Sequence, residues 1–253
     1  MSIRIRALVE YDGTDYAGFQ RQVHRPTIQA EIESVLQRLT SVRTRVTGAG
    51  RTDAGVHAAG QVIAFQTAWR HSLDELQRGM NALLPPAIAV KELGVAADGF
   101  HPRFDAVSRR YRYTILNEPV RSPLWERYAY HVSQPLNMEP MQAATSALVG
   151  VHDFATFGRP TQGESTVREL YEIIWRRDGS LISVDLEANG FLRHMVRCIV
   201  GTALQVGLGE IGVPQFVERF EARDRARSGP PAPPQGLCLT AVRYGGCAGR
   251  SSD

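Results

Sequence analysis

Two stretches of this chain run through the same order of elements, and that repetition constrains the fold more than any other feature. In the first, Ile3, Ile5, Ala7, Val9 and Tyr11 alternate with Arg4, Arg6 and Glu10, the pattern of a strand with one buried face. After Pro26-Thr27, the apolar set Ile28, Ile32, Val35, Leu36 and Leu39 has helical spacing. A strand-like run follows at 61–67. Ser72-Leu73-Asp74-Glu75 reads as a capping box that opens a second helix through Leu76, Met80 and Leu83, and Pro85-Pro86 stops it before a strand at 87–93. The second stretch predicts a strand over Arg109–Leu116, a helix over Met138–Val149 and strands near 170–177 and 181–187 about Asp178-Gly179. A mostly apolar helix over Phe191–Gly207 and a last strand over Leu237–Tyr244 complete it, with the proline-rich Ser228–Gly236 as a loop. The shared order predicts two α+β subdomains.

Composition narrows the class. A chain of 253 residues can bury a sizeable core as one large or two smaller domains. A hydrophobic share of 43% and a charged share of 22% are those of a soluble globular protein. The net charge is only +3, but Lys91 is the single lysine among 29 basic residues. Arginine's planar fork suits phosphate contacts and stacking on bases, although a bias in codon usage explains the same count equally well. Cys198, Cys238 and Cys247 form no C-x-x-C pair and are odd in number, which argues for a reducing cytosol and against a disulfide framework. His194 and Cys198 share a helix face, but two ligands do not make a zinc site, so no metal is expected. With no signal core and no long apolar run, neither export nor membrane insertion is expected, and the location read is cytoplasmic.

The segment from Gly48 to Gly60, Gly-Ala-Gly-Arg-Thr-Asp-Ala-Gly-Val-His-Ala-Ala-Gly, has the look of a site. It sets Asp53 between an arginine and a histidine on a backbone that glycine leaves open to close approach. Asp53 also fits a plain turn role, since aspartate side chains bond nearby backbone N–H groups. The loop is no phosphate cradle, for it carries neither a P-loop nor a dinucleotide-binding spacing.

The string Gly50–Ala58 resembles, residue for residue, the signature of the tRNA pseudouridine synthase A family. Four further blocks are similar to that family's motifs and occur in its order: Tyr11–Gln20, the Tyr-x-Tyr strand at Arg109–Tyr113, Asn189–Arg197 and Gly236–Leu239. The resemblance implies the pseudouridine synthase fold: two similar α/β subdomains, residues 1–104 and 105–253, whose mainly antiparallel sheets join into one continuous sheet around a central cleft. It implies isomerisation of uridine to pseudouridine in the anticodon stem and loop of tRNA, at positions 38, 39 and 40, without a cofactor. It also implies a homodimer with tRNA lying across both subunits.

For the site, the resemblance makes Asp53 the catalytic carboxylate, attacking C1′ of the ribose or abstracting the 2′ proton. It gives Arg197 the task of keeping Asp53 ionised, with Arg193 ranked below it. Arg51 is expected to hold the RNA by phosphates, Tyr111 to receive the extruded base, and Leu239 to pack against that base from the other side. His57 is expected to be structural or RNA-contacting. Two rivals remain: a nucleoside or glycoside hydrolase, which normally needs two placed carboxylates, and an RNA-binding module without catalysis.

Overall fold

The computed structural model describes residues 2–160 and 163–245; Cys247 lies outside them. The first half comprises β1 (Ile3–Tyr11), α1 (Ile28–Thr40), β2 (Thr47–Gly48), β3 (His57–Thr67), α2 (Leu73–Leu83) and β4 (Ile88–Val95). The second comprises β5 (Ala106–Asn117), β6 (Tyr130–Val132), α3 (Met138–Ser146), β7 (Gly150–Asp153), β8 (Val167–Asp178), β9 (Leu181–Ala188), α4 (Met195–Gly207), α5 (Val213–Glu221) and β10 (Leu237–Tyr244). The capping box forms as expected, with Ser72 Oγ accepting from the Glu75 N–H at 3.2 Å and the Glu75 carboxylate accepting from the Ser72 N–H at 2.9 Å.

All the strands join one sheet in the order β4-β1-β3-β10-β5-β9-β8-β7, with β2 on β3 and β6 on β5. The halves repeat each other: β4-β1-β3 in the first is matched by β10-β5-β9 in the second, and the pairings within each trio are antiparallel. The seam is the parallel pairing of β3 with β10, where Cys238 and Leu239 lie opposite His57 and Ala58. One row runs across it without a break, Tyr11–Ala58–Leu239–Tyr111–Leu186, each residue register-paired with the next. Paired residues share a face, so the buried faces of the two halves are one face.

That face carries Ile5, Ala7 and Val9 in the first half and Tyr113, Ile115 and Val184 in the second, all buried. Helix α4 supplies eleven buried residues, the most of any helix. The opposite face is charged. There Asp185 is buried, and its carboxylate accepts from Arg112 Nε and Nη2, both at 2.9 Å, and from Arg176. Burial alone would raise the Asp185 pKa, but the bonds and charges of the two guanidiniums outweigh it and hold the group below the ordinary carboxylate range.

Two helices are shorter than their apolar patterns suggest. Helix α3 ends at Ser146 because Gly150, at φ +113°, turns the chain into β7. Helix α4 starts at Met195, four residues late, because Arg193 is bridged to Arg159 and His194 stands at φ +66° as its N-cap. No helix among the described residues is long and apolar enough to cross a membrane.

Candidate active site

Asp53 sits in the turn between β2 and β3, and that turn is clamped from below. The buried Gln61 side chain donates to the Gly50 carbonyl at 2.9 Å and accepts the Gly50 N–H at 3.4 Å. The Tyr11 hydroxyl and Thr52 Oγ1 share a hydrogen bond of 2.8 Å. From the side, the connection after β1 presses on the turn backbone to backbone: the Phe19 N–H donates to the Thr52 carbonyl at 3.2 Å, and the Gly55 N–H to the Tyr16 carbonyl at 3.3 Å. Only glycine allows this approach. A Cβ at Gly13 would stand 2.1 Å from the Val56 carbonyl oxygen, and one at Gly18, where φ is +99°, 2.5 Å from that of Thr52. The Tyr11–Gln20 block is therefore the wall that shapes the aspartate turn.

His57 belongs to that scaffold. Its Nδ1 lies 3.0 Å from the Gly13 amide nitrogen and 3.2 Å from Asp12 Oδ1, and its Nε2 lies 2.8 Å from the Arg127 carbonyl. Arg109 is likewise occupied: its guanidinium donates to the carbonyls of Ala106, Asn189, Ala49 and Arg103, tying β5 to the aspartate turn.

Above the turn opens a cleft of about 1010 Å³ between the two halves. Among the described residues, seven arginines line it (25, 51, 103, 109, 168, 193 and 197), and Asp53 is the one carboxylate on its wall. The second half delivers the first turn of α4 onto that carboxylate. Arg197 Nη1 lies 3.7 Å from Asp53 Oδ2, and His194 Nε2 lies 3.4 Å from the same oxygen. Arg197 and the positive end of α4 thus set positive charge beside the carboxylate. Arg197 and His194 both address Oδ2, and Oδ1 makes no hydrogen bond to any described residue. Arg197 is itself anchored by the proline-rich loop, donating from Nε to the Ala232 carbonyl at 2.6 Å.

Tyr111 lies on the cleft wall with its ring edge-on to Phe191, centroids 5.1 Å apart. Its pKa is pushed far up, first by burial and then by the neighbouring Tyr11 and Asp53, so its hydroxyl keeps its proton. Arg51 stands exposed on the cleft wall, and Arg193 lines the cleft without pairing with Asp53. Leu239 lies beneath the cleft wall. It occupies the middle of the cross-sheet row between Ala58 and Tyr111 and is fully covered, whereas Leu237, two residues earlier on the same face of β10, reaches the cleft. Among the described residues, no group of three or more His, Cys, Asp or Glu side chains is placed to hold a metal ion.

His194 is the site residue that sequence reasoning missed. It was noticed only as half of a rejected zinc pair, since nothing in the pattern announces a left-handed N-cap. Burial lowers its pKa, Asp53 opposes that shift, and Arg197, Arg193 and Arg225 reinforce it, so the net shift is downward and the imidazole is neutral at pH 7. The unfolded chain therefore takes up this proton first as pH falls below about 6.5, so stability drops in that window, and His194→Ala should remove this component of the acid loss. His194→Gly and His194→Ala should each slow turnover about 10-fold, the low end for a polar contact to a charged group. The glycine variant should melt above the alanine variant, because alanine pays about 1 kcal/mol or more to hold positive φ. Equal melting temperatures would refute the strained-cap account.

The family model described as tRNA pseudouridine synthase matches residues 7–105 and 144–245 of this chain. The chain belongs to the tRNA pseudouridine synthase family. It is thereby an isomerase. A tRNA pseudouridine synthase A of Chloroflexus aurantiacus is 46% identical over 248 residues, 95% of this chain and 88% of its own length. Proteins of the same name from Geotalea uraniireducens and Thermoanaerobacter sp. are 43% and 39% identical, each across 95% of this chain and 99% of theirs. The matched segments carry Asp53 on one side and His194, Arg197 and Leu237 on the other, so the two matched regions meet at this cleft.

Proposed function

We propose that this protein converts uridine to pseudouridine at positions 38, 39 and 40 in the anticodon stem-loop of tRNA, with Asp53 as the reacting carboxylate. The observation that carries this reading is a lone carboxylate, gripped through one oxygen and open at the other, in a cleft walled by arginines. The reaction breaks the bond from C1′ to N1, turns the base, and joins C1′ to C5; the proton leaving C5 is balanced by one gained at N1. Nothing is oxidised and no donor is consumed, so the residues have only to hold charge, grip the free base and exclude water. Asp53 Oδ1 either attacks C1′ or takes the 2′ proton. Arg197 sets its positive charge beside Asp53, Tyr111 receives the extruded base, and Arg51 holds a phosphate of the flipped nucleotide.

Residues 1–104 and 105–253 act as two subdomains that close on the RNA from opposite sides. The working form is a cytoplasmic homodimer in which tRNA spans both subunits, and binding weakens steeply with salt as phosphate contacts release counterions. The test is incubation with unmodified tRNA transcripts, without added metal or cofactor, followed by mapping of pseudouridine at nucleotide resolution. Pseudouridine confined to the anticodon arm is expected. Free uracil would mean a hydrolase instead, and tight binding without conversion would mean a binding module.

A further inference from the structure

Phe104 is out of place by ordinary burial. It stands on the wall of the cleft with 68% of its surface exposed, whereas Tyr111 on the same wall keeps only 8%. A large apolar ring left in water invites a functional explanation when the backbone beneath it is firmly held. Here it is. The His101 N–H donates to the Asp105 carboxylate at 2.8 Å, and the Asp105 N–H returns to the His101 carbonyl at 3.1 Å. The N–H groups of Arg103 and Phe104 both reach His101 Nδ1 at 3.2 Å. From outside the loop, the Tyr244 hydroxyl donates to the Pro102 carbonyl at 2.8 Å and Arg4 Nε to the Phe100 carbonyl at 2.5 Å.

The ring is also dressed as a stacking surface. The His101 imidazole lies nearly parallel to it, centroids 4.2 Å apart and planes 28° apart, and the Arg103 guanidinium carbon is 5.9 Å from its centroid. Cation and aromatic together, in a cleft with seven arginines and a single carboxylate, suit an anionic partner that carries flat rings. That describes single-stranded nucleic acid, in which phosphates meet arginine and unpaired bases stack on aromatic faces.

We propose that Phe104, backed by His101, is a stacking platform for an unpaired nucleobase next to the uridine that reacts. The RNA strand is then held at two bases, the reacting one at the buried Tyr111 and a neighbour at the open rim. This inference rests on the functional reading above.

A double-mutant cycle between protein and RNA tests it. Full-length wild type, Phe104→Ala, Phe104→Leu and Phe104→Trp are titrated with a tRNA transcript carrying a single abasic site, moved in turn through the nucleotides flanking each target. Phe104→Ala and Phe104→Leu should weaken binding of intact tRNA about 10-fold, with Phe104→Trp close to wild type. At one flanking position the abasic site should cost the wild type as much, yet cost Phe104→Ala nothing further. Additive losses at every position, or affinity within twofold for Phe104→Ala, would overturn the proposal. So would a change of oligomeric mass in Phe104→Ala with no coupling to any base, which would assign the ring to a protein contact. Conversion of uridine by wild type is scored in the same samples. Its absence strikes the functional reading, whereas coupling between ring and base is read from binding alone.

Discussion

Asp53→Asn should abolish turnover while leaving tRNA affinity within about threefold of wild type, since phosphate contacts elsewhere supply most of the affinity. The substitution preserves shape. It removes the charge that Arg197 and His194 face and the oxygen that Oδ1 offers to the ribose. The turn itself should survive, because it is held by Gln61, Tyr11 and Thr52 and by the backbone bond from Val56 to the Asp53 carbonyl at 3.2 Å, none of which uses the Asp53 carboxylate. Loss of a group that attacks or moves a proton costs at least about 10⁴-fold, or about 5.5 kcal/mol of barrier. Affinity should if anything rise, because the one negative charge in an arginine-lined cleft repels phosphate. Single-turnover kinetics beside a binding titration reads both quantities, and substantial turnover in Asp53→Asn would remove the centre of this account.

What was legible beforehand follows a physical rule. Elements with a strong period of two or of 3.6 were visible, because β1, β5, α1 and α2 each bury one face against one partner. The seam was not. Parallel pairing of β3 with β10 brings together residues some 180 positions apart through two register pairs, and no local pattern specifies such a contact. The short strands β2, β6 and β7 escape for the opposite reason, having too few residues for a period to show. At the site, Asp53 and Arg197 were named from a resemblance and lie in contact. His194 is not announced by any pattern because its role depends on a positive φ, and on β10 period two fixes the face but not that Leu237 lines the cleft while Leu239 lies in the middle of the cross-sheet row. The glycine-rich turn reads as a backbone open to close approach by another chain or a ligand. Gly13 and Gly18, outside that turn, instead serve close packing of protein on protein.

Tyr111 should separate ring from hydroxyl. The hydroxyl makes no hydrogen bond to any described residue, and its raised pKa keeps it a donor over the whole working range. Tyr111→Phe preserves the aromatic face and its edge-on packing with Phe191, so tRNA binding should stay within about twofold and the fold should be undisturbed. If the hydroxyl carries a proton late in the rearrangement, single-turnover conversion should fall about 100-fold, the usual scale for a lost general acid or base. We expect that fall, because a protonated hydroxyl without a protein partner beside a lone carboxylate has no structural task to explain it. Tyr111→Ala removes the ring as well. It should lose a further 10- to 100-fold through stacking and destabilise the chain by about 3 kcal/mol or more, since the ring is 8% exposed and nothing nearby refills the space. Thermal melts therefore accompany the kinetics. A Tyr111→Phe variant with wild-type single-turnover rates would leave stacking as the residue's whole contribution and move the proton step to another group.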